Sequence, residues 1–225
     1  MIVRIKRQKG PNETPYWQSF NYDGDMNVTV VTVLNAINYT DDVFDIEGKP
    51  TSRINWECSC LQGVCGGCAM VINNKPSLAC NTLLKDLKSN ELILEPLSKF
   101  PVIRDLTVDR SIIFDNLKKV NLYLEDKPEA LEKDYPQRYS VAKCLKCGLC
   151  LEVCPNYKYG SDFYGAVFAN DTYLLYSNKK RDSKELIESY NEHFVASCSK
   201  ALSCQKICPV NIETLTSILR MNRAK

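Results

Sequence analysis

Cys144-Leu145-Lys146-Cys147-Gly148-Leu149-Cys150-Leu151-Glu152-Val153-Cys154-Pro155 decides how this chain is read. Written as spacing, it is C-x2-C-x2-C-x3-C-P. Two-residue gaps bring three thiolates onto one iron-sulfur cluster, while the fourth Cys, set off by three residues and followed by proline, turns to a neighbouring cluster. The stretch therefore implies a second centre. Four thiolates would also suit structural zinc, but zinc sites pair two separated C-x2-C knuckles rather than a continuous triple.

The neighbour is found near the end of the chain, at Cys198-Ser199-Lys200-Ala201-Leu202-Ser203-Cys204-Gln205-Lys206-Ile207-Cys208-Pro209. Its outer spacing repeats the first run, with Ala201 where the middle Cys would stand. If each Cys-Pro cysteine crosses over, Cys208 completes the set of Cys144, Cys147 and Cys150, giving a 4Fe-4S cluster. Cys154 joins Cys198 and Cys204. Three thiolates suit a 3Fe-4S cluster or a 4Fe-4S cluster with a labile iron, and 3Fe-4S is the reading favoured.

A third motif lies in the first half: Cys60, Cys65 and Cys68, followed after eleven residues by Cys80. C-x4-C-x2-C with a distant fourth Cys is a 2Fe-2S spacing. Gly63, Gly66 and Gly67 supply positions for positive φ and for backbone N–H groups near sulfur. Cys58 falls outside the x4 register and is read as a non-ligand.

The Cys positions divide the chain. Five fall between 58 and 80 and seven between 144 and 208, with 63 Cys-free residues between the groups, so two domains are expected, 1–105 and 106–225. A net charge of +2 gives no long-range field toward nucleic acid. Twelve Cys with no secretory signal and no long apolar run point to metal ligands in a reducing compartment. In the first half, Met1 to Arg7 and Tyr16 to Tyr22 read as strands, Asp25 to Ile37 as a helix, and Ala69 to Ile72 and Leu92 to Glu95 as further strands, the former followed by an Asn73-Asn74-Lys75-Pro76 turn. That is a small α+β domain. Glu91 to Asp109, broken by Pro96 and Pro101, reads as an extended connection, and Glu125 to Gln137 as an exposed loop. Arg110 to Leu124, Ser161 to Ala169, Ser183 to Ala196 and Asn211 to Arg223 read as helices. Lys179-Lys180-Arg181 reads as a solvated loop, and His193, outside every Cys spacing, as structural or exposed.

The three motifs, in this order and at these separations, resemble the iron-sulfur subunit of succinate dehydrogenase and fumarate reductase. The resemblance extends to Arg53, the run Cys60 to Met70, Leu78-Ala79-Cys80, Pro101 to Leu106 and both Cys-Pro pairs. It implies a plant-type ferredoxin-like (β-grasp) domain followed by an all-α bacterial-ferredoxin-like domain, with three clusters in series. It also implies a flavoprotein catalytic subunit carrying FAD on the 2Fe-2S side and a membrane anchor with a quinone site near the 3Fe-4S side. The location implied is peripheral, on the cytoplasmic face of a bacterial inner membrane or the matrix face of the mitochondrial one.

Relatives that reduce quinone often carry a Trp pair after the first Cys-Pro and a His after the first Cys of the last motif. Here Lys158, Tyr159 and Ser199 stand there, and Asn222 replaces a familiar Lys. Pro155, Tyr159 and Ser199 could still line a quinone pocket. Without an acid-base or nucleophile constellation of its own, the chain reads as a conductor of single electrons. The same conductor could serve a non-quinone partner, a thiol or a soluble carrier, and a zinc-stapled binding module is the reading from another class.

Overall fold

The computed structural model describes residues 1–123, 135–178 and 183–224. The Lys179-Lys180-Arg181 run and residues 125–134 of the loop expectation lie outside them. Two compact units divide the chain, Met1–Asp109 and Arg110–Lys225.

The first unit is a five-stranded mixed sheet in the order β2-β1-β7-β5-β6. β1 (Ile2–Arg7) pairs antiparallel with β2 (Tyr16–Asn21), from Ile2 opposite Asn21 to Arg7 opposite Tyr16. On its other side β1 runs parallel to β7 (Glu91–Glu95). β5 (Ala69–Ile72) and β6 (Lys75–Leu78) complete the sheet as a hairpin on β7. Asn73 and Asn74 both adopt positive φ at the hairpin tip, the turn that matches strand twist. Lys75 and Pro76, expected in that turn, are already in β6, an edge strand where proline costs no ladder bond.

Glu91 to Asp109 is therefore no connection. Its first five residues form an inner strand with Leu92 and Leu94 fully buried, and its end folds back as the small hairpin β8 (Val102–Arg104) and β9 (Thr107–Val108). Helix α1 (Val30–Asn38) buries Val30, Val33 and Leu34 and begins five residues later than expected. Asp25 accepts from the Asn27 N–H at 2.8 Å, a local turn that competes with helix. Between α1 and β5 lie the short pair β3 (Val43–Phe44) and β4 (Pro50–Thr51).

The second unit is helical: α2 (Ser111–Lys119), α3 (Tyr135–Ala142), α4 (Leu149–Glu152), α5 (Gly165–Tyr176), α6 (Ser183–Tyr190), α7 (Ser203–Lys206) and α8 (Thr214–Met221). α5 runs through its centre, buried on most faces. Residues 135–137, expected in a loop, open α3. Pro136 sits in its first turn, where no N–H is required. The buried Gln137 donates Nε2 to the Ser217 hydroxyl at 3.0 Å and the Glu213 carbonyl at 3.1 Å. α5 starts at Gly165 rather than Ser161. This glycine has φ +74°, and a Cβ there would lie 2.4 Å from Leu151 Cδ2.

α6 continues into one π-helical turn, Asn191–Val195. His193 is packed into it: its ring stacks on Tyr164 at 4.1 Å, and Nδ1 lies 3.0 Å from the Asp162 carbonyl oxygen. Tyr190 donates its hydroxyl to Asn222 at 3.1 Å, so the residue that replaces the familiar Lys fixes α8 to α6.

Candidate iron-sulfur sites

In the first unit the loop before β5 wraps around sulfur. Leu61, Gly63 and Gly66 take positive φ, which turns successive N–H groups inward. Gln62 and Val64 donate to Cys60 Sγ at 3.3 and 3.4 Å, and Gly67 donates to Cys65 Sγ at 3.4 Å. Gly67 serves through its N–H alone, because its φ is not positive. Cys80 arrives on the 3₁₀ turn Ala79–Asn81. Its Sγ is 3.3 Å from Cys68 Sγ, and its N–H points at the same sulfur at 3.5 Å. Cys65 acts on the Cys60 thiol, and Cys80 feels both Cys68 and Cys60. Cys68 and Cys80 thus lie side by side, with Cys60 and Cys65 on the loop that leads to Cys68.

Backbone donors, Gln62 first, draw the Cys60 thiol down to about 7. Burial, with Cys68 alongside, pushes Cys80 up to about 12. Cys58, the extra thiol, is exposed.

The segment that leads into this loop is held by a buried ion pair that the sequence reading did not single out. Arg7 donates Nε to Asp105 Oδ1 at 2.9 Å and Nη2 to Oδ2 at 3.0 Å, both side chains 1% exposed. Nη2 also bonds the carbonyls of Ser52 and Arg53 at 3.2 and 3.1 Å, and Nη1 bonds Gln18 Oε1 at 2.9 Å. Asp105 in turn accepts from the N–H groups of Gln8 and Asn55 at 3.1 and 2.8 Å. Such satisfaction is what a buried charge pair requires. A signal was present: in β1, Val3, Ile5 and Arg7 share the buried face by the two-residue period.

The second unit carries its thiols on a structural repeat. Lys146 and Lys200, each two residues after a Cys, are left-handed at φ 52° and 58°. Gly148 and Leu202, two further on, are left-handed N-caps at φ 86° and 56° for the short helices α4 and α7. Each helix ends two residues before a Cys-Pro pair. Position 201 answers to Cys147 and holds an alanine.

Cys144, Cys147, Cys150 and Cys208 interact with one another, while Cys204 has Cys154 and Cys198 as its thiol neighbours. Cys150 also senses Cys204, which places the two sets side by side. A cavity opens onto Cys144, Cys147, Cys150, Cys204 and Cys208, walled by Leu145, Val167, Val210 and Ile212. Burial pushes Cys147 and Cys204 each up to about 11, and Cys150 further. Cys150 keeps some accessible area because it faces the cavity.

The proposed quinone residues lie on the surface. Pro155, Tyr159 and Ser199 are all exposed. Ser199 meets Asn156, donating its hydroxyl to Oδ1 at 2.6 Å, so the bond joining the two Cys-containing loops uses a residue the sequence reading passed over.

Eleven thiols in these motifs, with N–H groups aimed at several of them, fit iron-sulfur clusters by donor type and number. The profile of the 2Fe-2S iron-sulfur cluster binding domain matches residues 2–115, and that of the 4Fe-4S dicluster domain matches residues 140–212. The chain is 35% identical to the succinate dehydrogenase iron-sulfur subunit of Bacillus subtilis, over 97% of this chain and 90% of the relative. It is 28% identical to the fumarate reductase iron-sulfur subunit of Wolinella succinogenes, over 93% and 89%. A solved structure of the Mycobacterium smegmatis Sdh1 complex in the apo form superposes with TM-score 0.79 at 20% identity, covering 100% of this chain and 96% of that one, which shows the shared fold.

Fold and thiol sets define an iron-sulfur protein of electron transfer. The sequence identity, extending over nearly the whole length, narrows the class. The chain belongs to the family of iron-sulfur subunits of succinate dehydrogenase and fumarate reductase, and its part in such an oxidoreductase is to conduct electrons. A zinc-stapled binding module is thereby set aside.

Proposed function

We propose that Cys60, Cys65, Cys68 and Cys80 hold a 2Fe-2S cluster, Cys144, Cys147, Cys150 and Cys208 a 4Fe-4S cluster, and Cys154, Cys198 and Cys204 a 3Fe-4S cluster. The observation that carries this reading is the exchange between the two Cys-Pro motifs: Cys208 keeps company with the first run, and Cys154 with the last. When bound, such clusters accept and release one electron at a time, dividing the two-electron chemistry of a flavin into single steps. The chain's own contribution is to fix the thiols, aim N–H groups at sulfur, and exclude water. The electron source is a flavoprotein subunit carrying FAD, docked at the first unit.

The acceptor lies beyond Ser199. Membership of this family supports a membrane anchor and a quinone, and with them a peripheral place on the cytoplasmic or matrix face of a membrane. Among the described residues, no helix is long and apolar enough to cross one. A second reading of the acceptor, a thiol or a soluble carrier, is favoured by the exposed polar face of Asn156, Lys158 and Ser199. Iron and sulfide counts with EPR of the full assembly test the ligand sets: an oxidised-state signal from the 3Fe-4S centre and two further centres on reduction are expected. Lack of the oxidised signal would sink the three-thiol assignment. Turnover with quinols, thiols and viologen dyes separates the acceptors.

A further inference from the structure

We propose that Lys146 and Asp171 form a fixed charge pair that sets the reduction potential of the middle centre, the one assigned to Cys144, Cys147, Cys150 and Cys208. The inference rests on that ligand assignment. Lys146 lies inside the first Cys run, with its Nζ 2.6 Å from each oxygen of the Asp171 carboxylate. The two side chains are only 21% and 14% exposed. Lys146 lies two residues from Cys144, and its positive charge acts on that thiol. The carboxylate comes from the middle of α5, 25 residues away, and acts on Cys144 with the opposite sign. Of the two, the ammonium acts on Cys144 more strongly than the carboxylate does.

Charge near a cluster biases its two oxidation states, because reduction adds one negative charge. A cation near sulfur favours the reduced form and raises the potential. An anion paired with that cation tempers it. Arg110 adds a second positive charge, its Nη1 donating to the Cys147 carbonyl at 3.3 Å, but it bonds backbone and does not share the Lys146 position. With little solvent to screen them, these charges act over short distances at an effective dielectric far below that of water.

The chain supplies its own control. Lys200 holds the equivalent place in the second repeat, two residues after Cys198, with the same left-handed backbone at φ 58°. Its side chain is exposed, where water and salt screen it. One lysine is thus built into the middle site, and its counterpart stands in solvent.

The experiment is an EPR-monitored redox titration of the full chain, purified as assembled in the cell, with Asp171→Asn, Lys146→Met, the double variant, Lys146→Arg and Lys200→Met. The middle centre's potential should be highest in Asp171→Asn, which leaves the ammonium untempered, and lowest in Lys146→Met. The native protein and Lys146→Arg should lie between them, with the double variant below native. Lys200→Met should leave the third centre's potential in place. If Lys146→Met fails to assemble, the comparison of Asp171→Asn and the double variant with native still decides the matter. Potentials that coincide across variants with intact middle-centre signals would overturn the charge pair alone. A native protein with no 4Fe-4S signal would overturn the ligand assignment and this inference with it.

Discussion

The two units gather thiols by different physics. In the first, one loop between strands bends around sulfur and supplies the donors from its own backbone, so Cys60 is drawn down to about 7 while Cys80 behind it is pushed to about 12. In the second, cysteines beside two short helices from distant parts of the chain line one cavity, and burial pushes Cys147 and Cys204 up to about 11. A single loop can be shaped by backbone N–H groups alone. Two distant repeats need packing to hold them, and packing brings desolvation.

The largest test of this contrast is chemical. A thiol drawn down to about 7 becomes thiolate as pH rises through 7, whereas one pushed to about 11 stays protonated until pH approaches 11, and only the thiolate alkylates. At pH 8 the thiolate fraction of Cys147 or Cys204 is about a thousandth, while Cys60 is mostly ionised. Iodoacetamide labelling of the cluster-free chain, read by peptide mass spectrometry from pH 6 to 11, should show Cys60 reacting with a midpoint near 7 and the other two lagging by several hundredfold or more at pH 8. Linkage gives the same signs. A depressed Cys60 stabilises the cluster-free fold above its unfolded pKa and loses that contribution as pH falls through about 7. The raised Cys147 and Cys204 stabilise it below theirs and lose the contribution as pH rises through about 11. Equal labelling of all three at pH 8 would erase the contrast.

Next in size is the ion pair beneath the first loop. Removing one partner of a buried, fully bonded pair strands the other charge, at a cost of about 3–5 kcal/mol. Arg7→Met or Asp105→Asn should lower the thermal midpoint followed by the visible spectrum of the 2Fe-2S centre. The second unit has its own core, so EPR should find its centres retained. Loss of all three together would mean that the units do not stand apart as described.

How much of this was open to a reader of residues depends on distance along the chain. Cluster types were legible because cluster geometry fixes spacing within a few residues, and the crossover is the expectation that the repeated Cys-Pro carries. Arg7 was half legible: its place on the buried face of β1 followed from alternation, but a basic residue at a strand end reads by default as solvated. The partner Asp105, 98 residues on, could not be paired with it locally. The Lys146–Asp171 contact was hidden for the same reason. Strand β7 was legible at Leu92 to Glu95, but Pro96 and Pro101 made the rest of the segment read as a linker and hid the hairpin of β8 and β9. The helix start at Asp25 was misplaced because an Asx turn and a helix cap use the same residue type.

The smallest effect sharpens the comparison through two glycines of like conformation. Gly63 in the first loop and Gly165 at the head of α5 share φ +74°, and a Cβ on either would come within 2.5 Å of a neighbour. At Gly63 the neighbour is the side chain of Asn81, an exposed residue that can swing away. At Gly165 it is Leu151, 2% exposed and enclosed by the core. Left-handed strain costs an alanine about 1 kcal/mol at either place, but overpacking adds about 1–3 kcal/mol only where the neighbour cannot yield. Gly165→Ala should therefore be destabilised more than Gly63→Ala in urea unfolding. Gly63→Ala should instead alter the EPR line shape of the 2Fe-2S centre, because Gly63 lies in the loop around Cys60 and against Asn81, the neighbour of Cys80, and must shift with the loop. Equal destabilisation, with no change in line shape, would mean that the loop around sulfur is as tightly packed as the helical core.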